Sequence, residues 1–158
     1  PIYGTRLSLG IIEGKLDENP PVFDPELYTV EAGDVINLGA MKAEFIHVNH
    51  SIADACAISI KTPVGIVFHT GDFKLDVSPL DGEMMDLTRL GEYGNEGVLL
   101  MMCESTNVEH EGYTMSEHVV GETLDRLFSD NQKRRIPYII TDGQIITHKK
   151  SIECQYKN

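Results

Sequence analysis

Two short polar sequences follow apolar, strand-like runs in the first half of the chain. His50 lies within the sequence NHS, and Asp72 ends the sequence TGD. An imidazole nitrogen and a carboxylate oxygen together suit zinc or manganese, and a carboxylate can bridge the metals of a two-metal hydrolase. A histidine at a strand end is also typical of structural residues, and Gly-Asp is also a common turn. Spacing alone therefore leaves both interpretations open.

The elements around His50 and Asp72 can be predicted from hydrophobic periodicity. Alternation over Phe45–His50 predicts a half-buried strand. Two further apolar runs, Cys56–Lys61 and Ile66–His69, predict strands joined by the turn sequence TPVG. This order of strand, loop and hairpin can bring His50 and Asp72 to one rim of a sheet.

The rest of the chain predicts a mostly antiparallel sheet covered by helices, an α+β or α/β arrangement. Helical spacing is compatible with a helix over Gly4–Leu16. The predicted further elements are a hairpin of 27–30 with 35–38, a strand over 41–48 and a short helix over 86–93.

A continuous apolar run over Gly97–Cys103 predicts a strand buried on both faces. It ends at Glu104, and a carboxylate at the exit of a central strand is well placed for chemistry, a turn or a helix cap being the alternative. Thr114 and Glu117 then match a capping box, which predicts a helix. Its predicted buried stripe is Val120, Leu124, Leu127 and Phe128.

Charge and acidic clustering limit the function classes. The net charge of −12, from 25 acidic and 13 basic residues, argues against broad nucleic-acid binding through this surface. The basic cluster at 133–135 is either a solvated helix end or a phosphate contact. Four acidic residues lack the spacing of a calcium loop and predict a solvated acidic edge; they are Asp76, Asp81, Glu83 and Asp86.

Three cysteines, Cys56, Cys103 and Cys154, form no short motif, which favours free thiols and a cytoplasmic location over a secreted disulfide framework. Cys56 and Cys103 lie in apolar runs and are expected to be buried. No apolar run approaches the length of a transmembrane helix, so no membrane partner is expected. The first residue is proline, so we expect a processed chain or a segment of a longer one.

Four sequences together closely resemble the ribonuclease J family, a β-CASP group within the metallo-β-lactamase fold. They are PIYGTRLSLGIIEGKL, VNHSIADA, KTPVGIVFHTGDFK and EGVLLMMCESTNVEHEGYT, and the resemblance is nearly continuous to Ile136. It implies a partial metallo-β-lactamase-like domain over 1–136, with an atypical tail over 137–158 that we expect to be foreign to the fold. It also favours the helix over Gly4–Leu16.

The resemblance implies roles for individual residues. His50 matches a histidine that binds one metal, and Asp72 matches the aspartate that bridges two. Glu104 matches an acidic residue that orients a general-acid histidine, and Lys74 is a weaker candidate for a phosphate contact. The implied reaction is hydrolysis of RNA phosphodiester bonds by a water that two metals activate. The implied cofactor is Zn²⁺, with Mn²⁺ or Mg²⁺ as alternatives, and the implied parent enzyme is a cytoplasmic homo-oligomer.

Departures from the family pattern bear on activity. The H-x-H-x-D-H signature and the later histidine motifs are absent from this sequence. His47 and His69 are expected to be structural, because His47 points to the opposite face of its strand from His50 and His69 lies within the strand that precedes Asp72. We therefore expect little activity from this chain alone. A non-catalytic, self-associating module and another hydrolase of the same fold remain as alternatives.

Overall fold

The computed structural model describes residues 1–131, which divide into two compact units. The first unit comprises Pro1–Val48, Asp54–Phe73 and Asp86–Glu104. The second comprises Asn49–Ala53, Lys74–Met85 and the described part of the chain from Ser105 onward.

A small sheet and a helix open the first unit. Strand β1 (Ile2–Gly4) pairs in parallel with β2 (Leu27–Thr29), and helix α1 (Arg6–Glu18) connects them. Parallel neighbours need such a crossover. The predicted helix is confirmed, although it begins and ends two residues later than expected. The predicted hairpin of 27–30 with 35–38 is wrong, because β2 pairs with β1 instead.

The N-terminus of α1 is capped by a residue far along the chain. Leu7 N donates to the Asp54 carboxylate at 3.1 Å, and the Thr5 hydroxyl donates to the same carboxylate at 3.0 Å. A carboxylate suits this position because the first amide groups of a helix lack partners within the helix. Asp54 has a φ of 59°, a left-handed conformation that aspartate tolerates better than most residues.

The main sheet of the first unit has five strands in the order β3-β4-β5-β6-β7. The strands are β3 (Val35–Leu38), β4 (Met41–His47), β5 (Cys56–Thr62), β6 (Gly65–His69) and β7 (Val98–Met102). The first four pair antiparallel, and β7 joins β6 in parallel. The predicted α+β class and mostly antiparallel sheet are confirmed.

Helix α2 (Leu87–Glu96) packs on this sheet through aromatic and charged contacts. The rings of Tyr93 and Phe68 lie 6.0 Å apart, and Arg89 pairs with Glu44 at 2.6 Å. This hydrogen-bonded guanidinium holds the pKa of the Glu44 carboxyl below its ordinary value. The helix was expected over 86–93, but it continues to Glu96 before Gly97 ends it.

Burial differs from two predictions for the main sheet. Phe45 and Ile46 are neighbours on opposite faces of β4 and both are buried, so the half-buried prediction is wrong there. Strand β7 was expected to be buried on both faces, yet Leu99, Leu100 and Met101 are 50–64% exposed. This exposure agrees with position, because β7 is the last strand of the sheet among residues 1–131.

The burial of the two described cysteines also depends on which strand they belong to or follow. Cys56, on the inner strand β5, is half-buried, whereas Cys103 follows β7 and is exposed, contrary to expectation. Both are free thiols, as predicted, and Cys154 lies outside the described residues. No helix within residues 1–131 has the length and apolarity needed to span a bilayer.

The second unit contains helix α3 (Glu117–Asp130). Its N-cap is Ser116, whose side chain accepts from His118 N, so the predicted capping box at Thr114 is wrong by two residues. Within the predicted stripe Phe128 is buried but Leu127 is 44% exposed. The predicted tail over 137–158 and the basic cluster at 133–135 lie outside the described residues.

Candidate functional site

The ends of β6 and β7 meet in the first unit through Thr70. Parallel pairing places His69 opposite Met102, and Thr70 N continues the ladder by donating to Met102 O at 3.0 Å. Glu104 N then donates to Thr70 Oγ1 at 3.3 Å. Thr70 is buried, 5% exposed, and its bond to Glu104 N is part-buried. It holds Glu104 beside the turn that carries Asp72.

The turn at Asp72 depends on Gly71. Gly71 has a φ of +61°, and a Cβ atom there would lie 3.0 Å from Cys56 O. Glycine meets both demands because it has no side chain. Gly71 N donates to His69 Nδ1 at 2.9 Å, which gives His69 a structural bond and supports its expected structural role. Asp72 itself is exposed and Glu104 is half-buried.

His50 and Lys74 lie in the second unit, where they line one small cavity of about 20 Å³. That volume is comparable to the space one water molecule needs. His50 and Lys74 are both half-buried. The remaining lining comes from Asn49, Asp76, Glu117 and the segment 79–81.

Asn49 fixes one wall of this cavity. Its side chain donates to Glu83 O at 2.5 Å and accepts from Met85 N at 2.8 Å. Its backbone carbonyl accepts from Lys74 N at 2.7 Å. Asn49 is 7% exposed, so these bonds are made largely out of water.

Asp76 also lines the cavity, and it caps α3. Its carboxylate accepts from Ser116 Oγ, Glu117 N and Ser78 N, at 2.9, 2.9 and 3.0 Å. Burial acts to raise the pKa of Asp76, but these hydrogen bonds and nearby Lys74 hold the pKa below its ordinary value. Asp76 is 6% exposed, so the predicted solvated acidic edge is wrong at this residue.

The other members of that predicted acidic edge are exposed, and two of them organise their own backbone. Asp81 accepts from Glu83 N at 3.1 Å, and Asp86 caps α2 by accepting from Arg89 N at 2.8 Å. Aspartate side chains commonly accept hydrogen bonds from backbone amides two or three residues later, at turns and at the starts of helices.

Lys74 is paired with an acid rather than solvated. Its ammonium lies 3.1 Å from the Glu117 carboxylate, and the two side chains are 16% and 26% exposed. Among the described residues, Lys74 is the only lysine or arginine that lines the cavity, and Glu117 neutralises its charge. A phosphate group would have to compete with Glu117 for Lys74.

The described residues do not by themselves form a metal centre. Within residues 1–131 no three His, Cys, Asp or Glu side chains lie close enough together to hold a metal ion. His50 belongs to the second unit, and Asp72 and Glu104 belong to the first. A catalytic zinc site takes about three protein ligands.

Sequence reasoning missed three residues that organise these sites: Asn49, Thr70 and Asp76. Each is a buried polar residue beside a candidate site residue, and each bonds to backbone atoms. The sequence DVS at 76–78 is a signal for Asp76, since aspartate commonly bonds to the amide two residues on. The partners of Asn49 and Thr70 lie about 34–36 positions away, so no local pattern identifies them.

The fold and these strand-end residues define an α+β protein with a five-stranded mixed sheet. A crystal structure of a protein of unknown function from Enterococcus faecalis V583 matches it with a TM-score of 0.71. That match has 22% identity and covers 97% of this chain and 39% of the other, so it bears on the fold alone. No family model matches the chain.

Sequence comparison identifies more specific relatives. The chain is 44% identical over 134 residues to ribonuclease J of Synechocystis sp., covering 84% of this chain. It is 42% identical to ribonuclease J of Helicobacter pylori over 86% of its length, and 42% identical to that of Thermus thermophilus over 80%. The chain spans about a fifth of the length of these curated relatives. The predicted resemblance to ribonuclease J is confirmed, and the chain is homologous to one part of that family's sequence.

Proposed function

We propose that this chain is part of a metal-dependent ribonuclease that hydrolyses RNA phosphodiester bonds. The observation that carries the proposal is identity of 42–44% to three proteins named ribonuclease J, over 80–86% of this chain. The geometry adds support, because Thr70 ties Glu104 to the turn that presents Asp72 at adjacent strand ends. Carboxylates at strand ends are well placed to act on a substrate.

The residue roles in this proposal follow the resemblance. His50 would ligate one metal, Asp72 would bridge two, and Glu104 would orient a general-acid histidine. Lys74 would contact phosphate after release from Glu117. A bound metal pair supplies a hydroxide nucleophile near neutral pH, because it lowers the pKa of bound water.

The described residues provide too few ligands for a metal pair, so the proposal assigns the others to regions outside residues 1–131 or to the longer enzyme. Zn²⁺ is the proposed metal, with Mn²⁺ and Mg²⁺ as alternatives. The proposed setting is a metallo-β-lactamase-type catalytic domain in a cytoplasmic homo-oligomer. The 158-residue chain alone is proposed to have little activity.

A chimera tests the proposal. Residues 1–131 of this chain replace the homologous segment of the Synechocystis ribonuclease J, and cleavage of labelled RNA is measured with and without chelator. We expect activity that a chelator abolishes and that Asp72→Ala lowers by about 100-fold or more. The matched control is Asp24→Ala, since Asp24 is exposed in a loop of the first unit.

Full activity in the Asp72→Ala chimera would contradict the proposed role of Asp72. Elemental analysis measures the metal content of the chimera and of its His50→Ala variant. A His50→Ala variant that folds but contains no metal has lost a metal ligand. A chimera that folds and binds metal but cleaves no RNA would contradict the proposed activity.

A self-associating module is the second candidate, and the exposure of β7 favours it. Leu99 to Met102 are 41–64% exposed, and in the described part of the chain they lie on the last strand of the main sheet. A flat apolar edge strand is a template for pairing with another chain. The partner in this alternative is a second copy of this chain.

A further inference from the structure

We infer that Asn49 is a positioning residue that holds His50 and Lys74 on one wall of the cavity in the second unit. This deepens the proposed function and rests on it in one respect, namely that His50 and Lys74 act on metal or substrate. The role assigned to Asn49 itself comes from its hydrogen bonds and burial.

The two ends of the Asn49 side chain are anchored to one loop. Its amide nitrogen donates to Glu83 O and its amide oxygen accepts from Met85 N. Both partners are backbone atoms of residues two apart, so rotation of the side chain would break both bonds together. Met85 and Asn49 are each 7% exposed, and the bond to Met85 N is buried, so water is poorly placed to replace that bond, whereas the bond to Glu83 O is part-buried.

The main chain of Asn49 carries this anchoring to the cavity. Asn49 O accepts from Lys74 N at 2.7 Å, which fixes the residue whose ammonium lines the cavity. His50 is the next residue in sequence, so the direction of its Cα–Cβ bond is set by the same peptide unit. One buried amide thereby sets the starting points of two cavity-lining side chains.

A purely local role for Asn49 predicts a different outcome from a positioning role. Replacing Asn49 by alanine removes the acceptor for Met85 N directly, and either role predicts faster exchange of that amide. The backbone bond from Lys74 N to Asn49 O uses no side-chain atom. A local role confined to Met85 leaves Lys74 and His50 unchanged, and a positioning role predicts changes at both.

The test is nuclear magnetic resonance of the 158-residue chain and its variants, with amide hydrogen exchange and the ring signals of His50 as readouts. For Asn49→Ala we expect a shifted or broadened His50 Cε1–H signal. We also expect amide exchange about tenfold faster at both Met85 and Lys74. Ile58 and Ile60 in β5 should keep the exchange rates of the unmodified chain, which shows that the main sheet is intact.

Two variants complete the test. Asn37→Ala is the matched control, since Asn37 is exposed on β3, and it should leave His50 and Lys74 unchanged. Asn49→Asp returns an oxygen acceptor for Met85 N. It loses the donor to Glu83 O, so exchange at Met85 and Lys74 should be slower than in Asn49→Ala and faster than in the unmodified chain. If Asn49→Ala does not fold, the His50 signal and the Lys74 exchange rate of Asn49→Asp are compared with those of the unmodified chain.

An unchanged His50 signal and Lys74 exchange rate in folded Asn49→Ala would overturn the inference and leave Asn49 as a local anchor for Met85. Exchange at Lys74 that is as fast in Asn49→Asp as in Asn49→Ala would also overturn it. None of these signals depends on RNA or metal. Absence of RNA cleavage in the chimera would therefore contradict the proposed function alone.

Discussion

At the scale of single residues, buried polar side chains determine how the candidate site residues are held. Asn49, Thr70 and Asp76 are 5–7% exposed, and each bonds to backbone atoms of distant segments. Leaving a buried backbone amide without its acceptor costs about 1–3 kcal/mol, so each side chain selects one arrangement of its loop. The chemistry-bearing residues depend on these neighbours.

The Asp76 cap predicts a pH-dependent contribution to stability. Asp76→Asn should lower the free energy of unfolding by about 1–3 kcal/mol at pH 7, because the amide replaces a charged acceptor of three hydrogen bonds. The folded-state pKa of Asp76 lies below its ordinary value of 3.8. The difference between the two proteins is therefore fully present above pH 3.8 and is lost as pH falls through the lower, folded-state pKa.

Urea unfolding at pH 7 and at several values below pH 4 measures this difference. Asp24→Asn serves as control, since Asp24 is exposed in a loop and should give no pH-dependent difference. Exchange of the Glu117 and His118 amides localises the effect at the start of α3. A difference that stays constant down to the lowest pH would argue against an ionised cap.

The two described cysteines should differ in reactivity. Burial, with a smaller effect from the Asp54 charge, raises the pKa of the Cys56 thiol to about 11, and Cys103 is exposed. Only about one Cys56 thiol in a thousand is then ionised at pH 8, and the thiolate is the nucleophile. In a Cys154→Ser background, iodoacetamide should label Cys103 at least about tenfold faster than Cys56. Mass spectrometry of peptides measures the rates, and equal rates would contradict the burial of Cys56.

At the scale of elements, the turn after β6 is the most constrained connection near a candidate residue. Gly71 combines a φ of +61° with close approach to Cys56 O, and the following residue is Asp72. Gly71→Ala should destabilise the chain by about 1–2 kcal/mol, because a Cβ atom disfavours the left-handed region and meets that carbonyl.

Gly10→Ala provides a control of opposite sign. Gly10 lies inside α1, and an added Cβ would have no atom within 4 Å. Alanine should therefore stabilise the chain by about 0.5–1 kcal/mol. Both free energies come from urea unfolding of the two variants. If Gly71→Ala proved as stable as the unmodified chain, the turn would have an alternative conformation that presents Asp72 differently.

The prediction of elements succeeded where the pattern was local. The strands around the TPVG turn follow from apolar runs and turn residues, and both are confirmed. The helix after β1 is also confirmed, but helical spacing was only compatible with it and the resemblance favoured it. Strand partners were harder, because 27–29 is short and its pairing with β1 depends on a helical crossover. The prediction that β7 is buried on both faces was wrong. An apolar run shows that a strand is hydrophobic but does not show which strand lies at the edge of a sheet.

The candidate site shows the same limit. His50, Asp72, Glu104 and Lys74 could be proposed from strand ends and from the resemblance, and their roles remain predictions. Neither source predicted that Glu117 pairs with Lys74, since the two residues are 43 positions apart. Long-range pairs of this kind follow from the tertiary fold.

At the scale of the whole molecule, the edge of the main sheet and the net charge act in opposite directions. The charge of −12 disfavours association, whereas the exposed β7 edge favours it. Charge repulsion is screened beyond about 8 Å at physiological ionic strength, but backbone pairing acts at contact. Association through β7 should therefore increase as salt is added.

Leu100→Lys tests this balance. Leu100 is 50% exposed on β7, and a lysine on an edge strand opposes pairing with another strand. We expect the unmodified chain to form dimers or larger species that increase with salt, and the variant to shift toward monomer by about tenfold in dissociation constant. Analytical ultracentrifugation at low and high salt measures both proteins.

Val64→Lys, at an 82% exposed position in the turn between β5 and β6, controls for added charge. Equal association of the two lysine variants would place the contact elsewhere, and a monomeric unmodified chain at high salt would remove the support for a self-associating module.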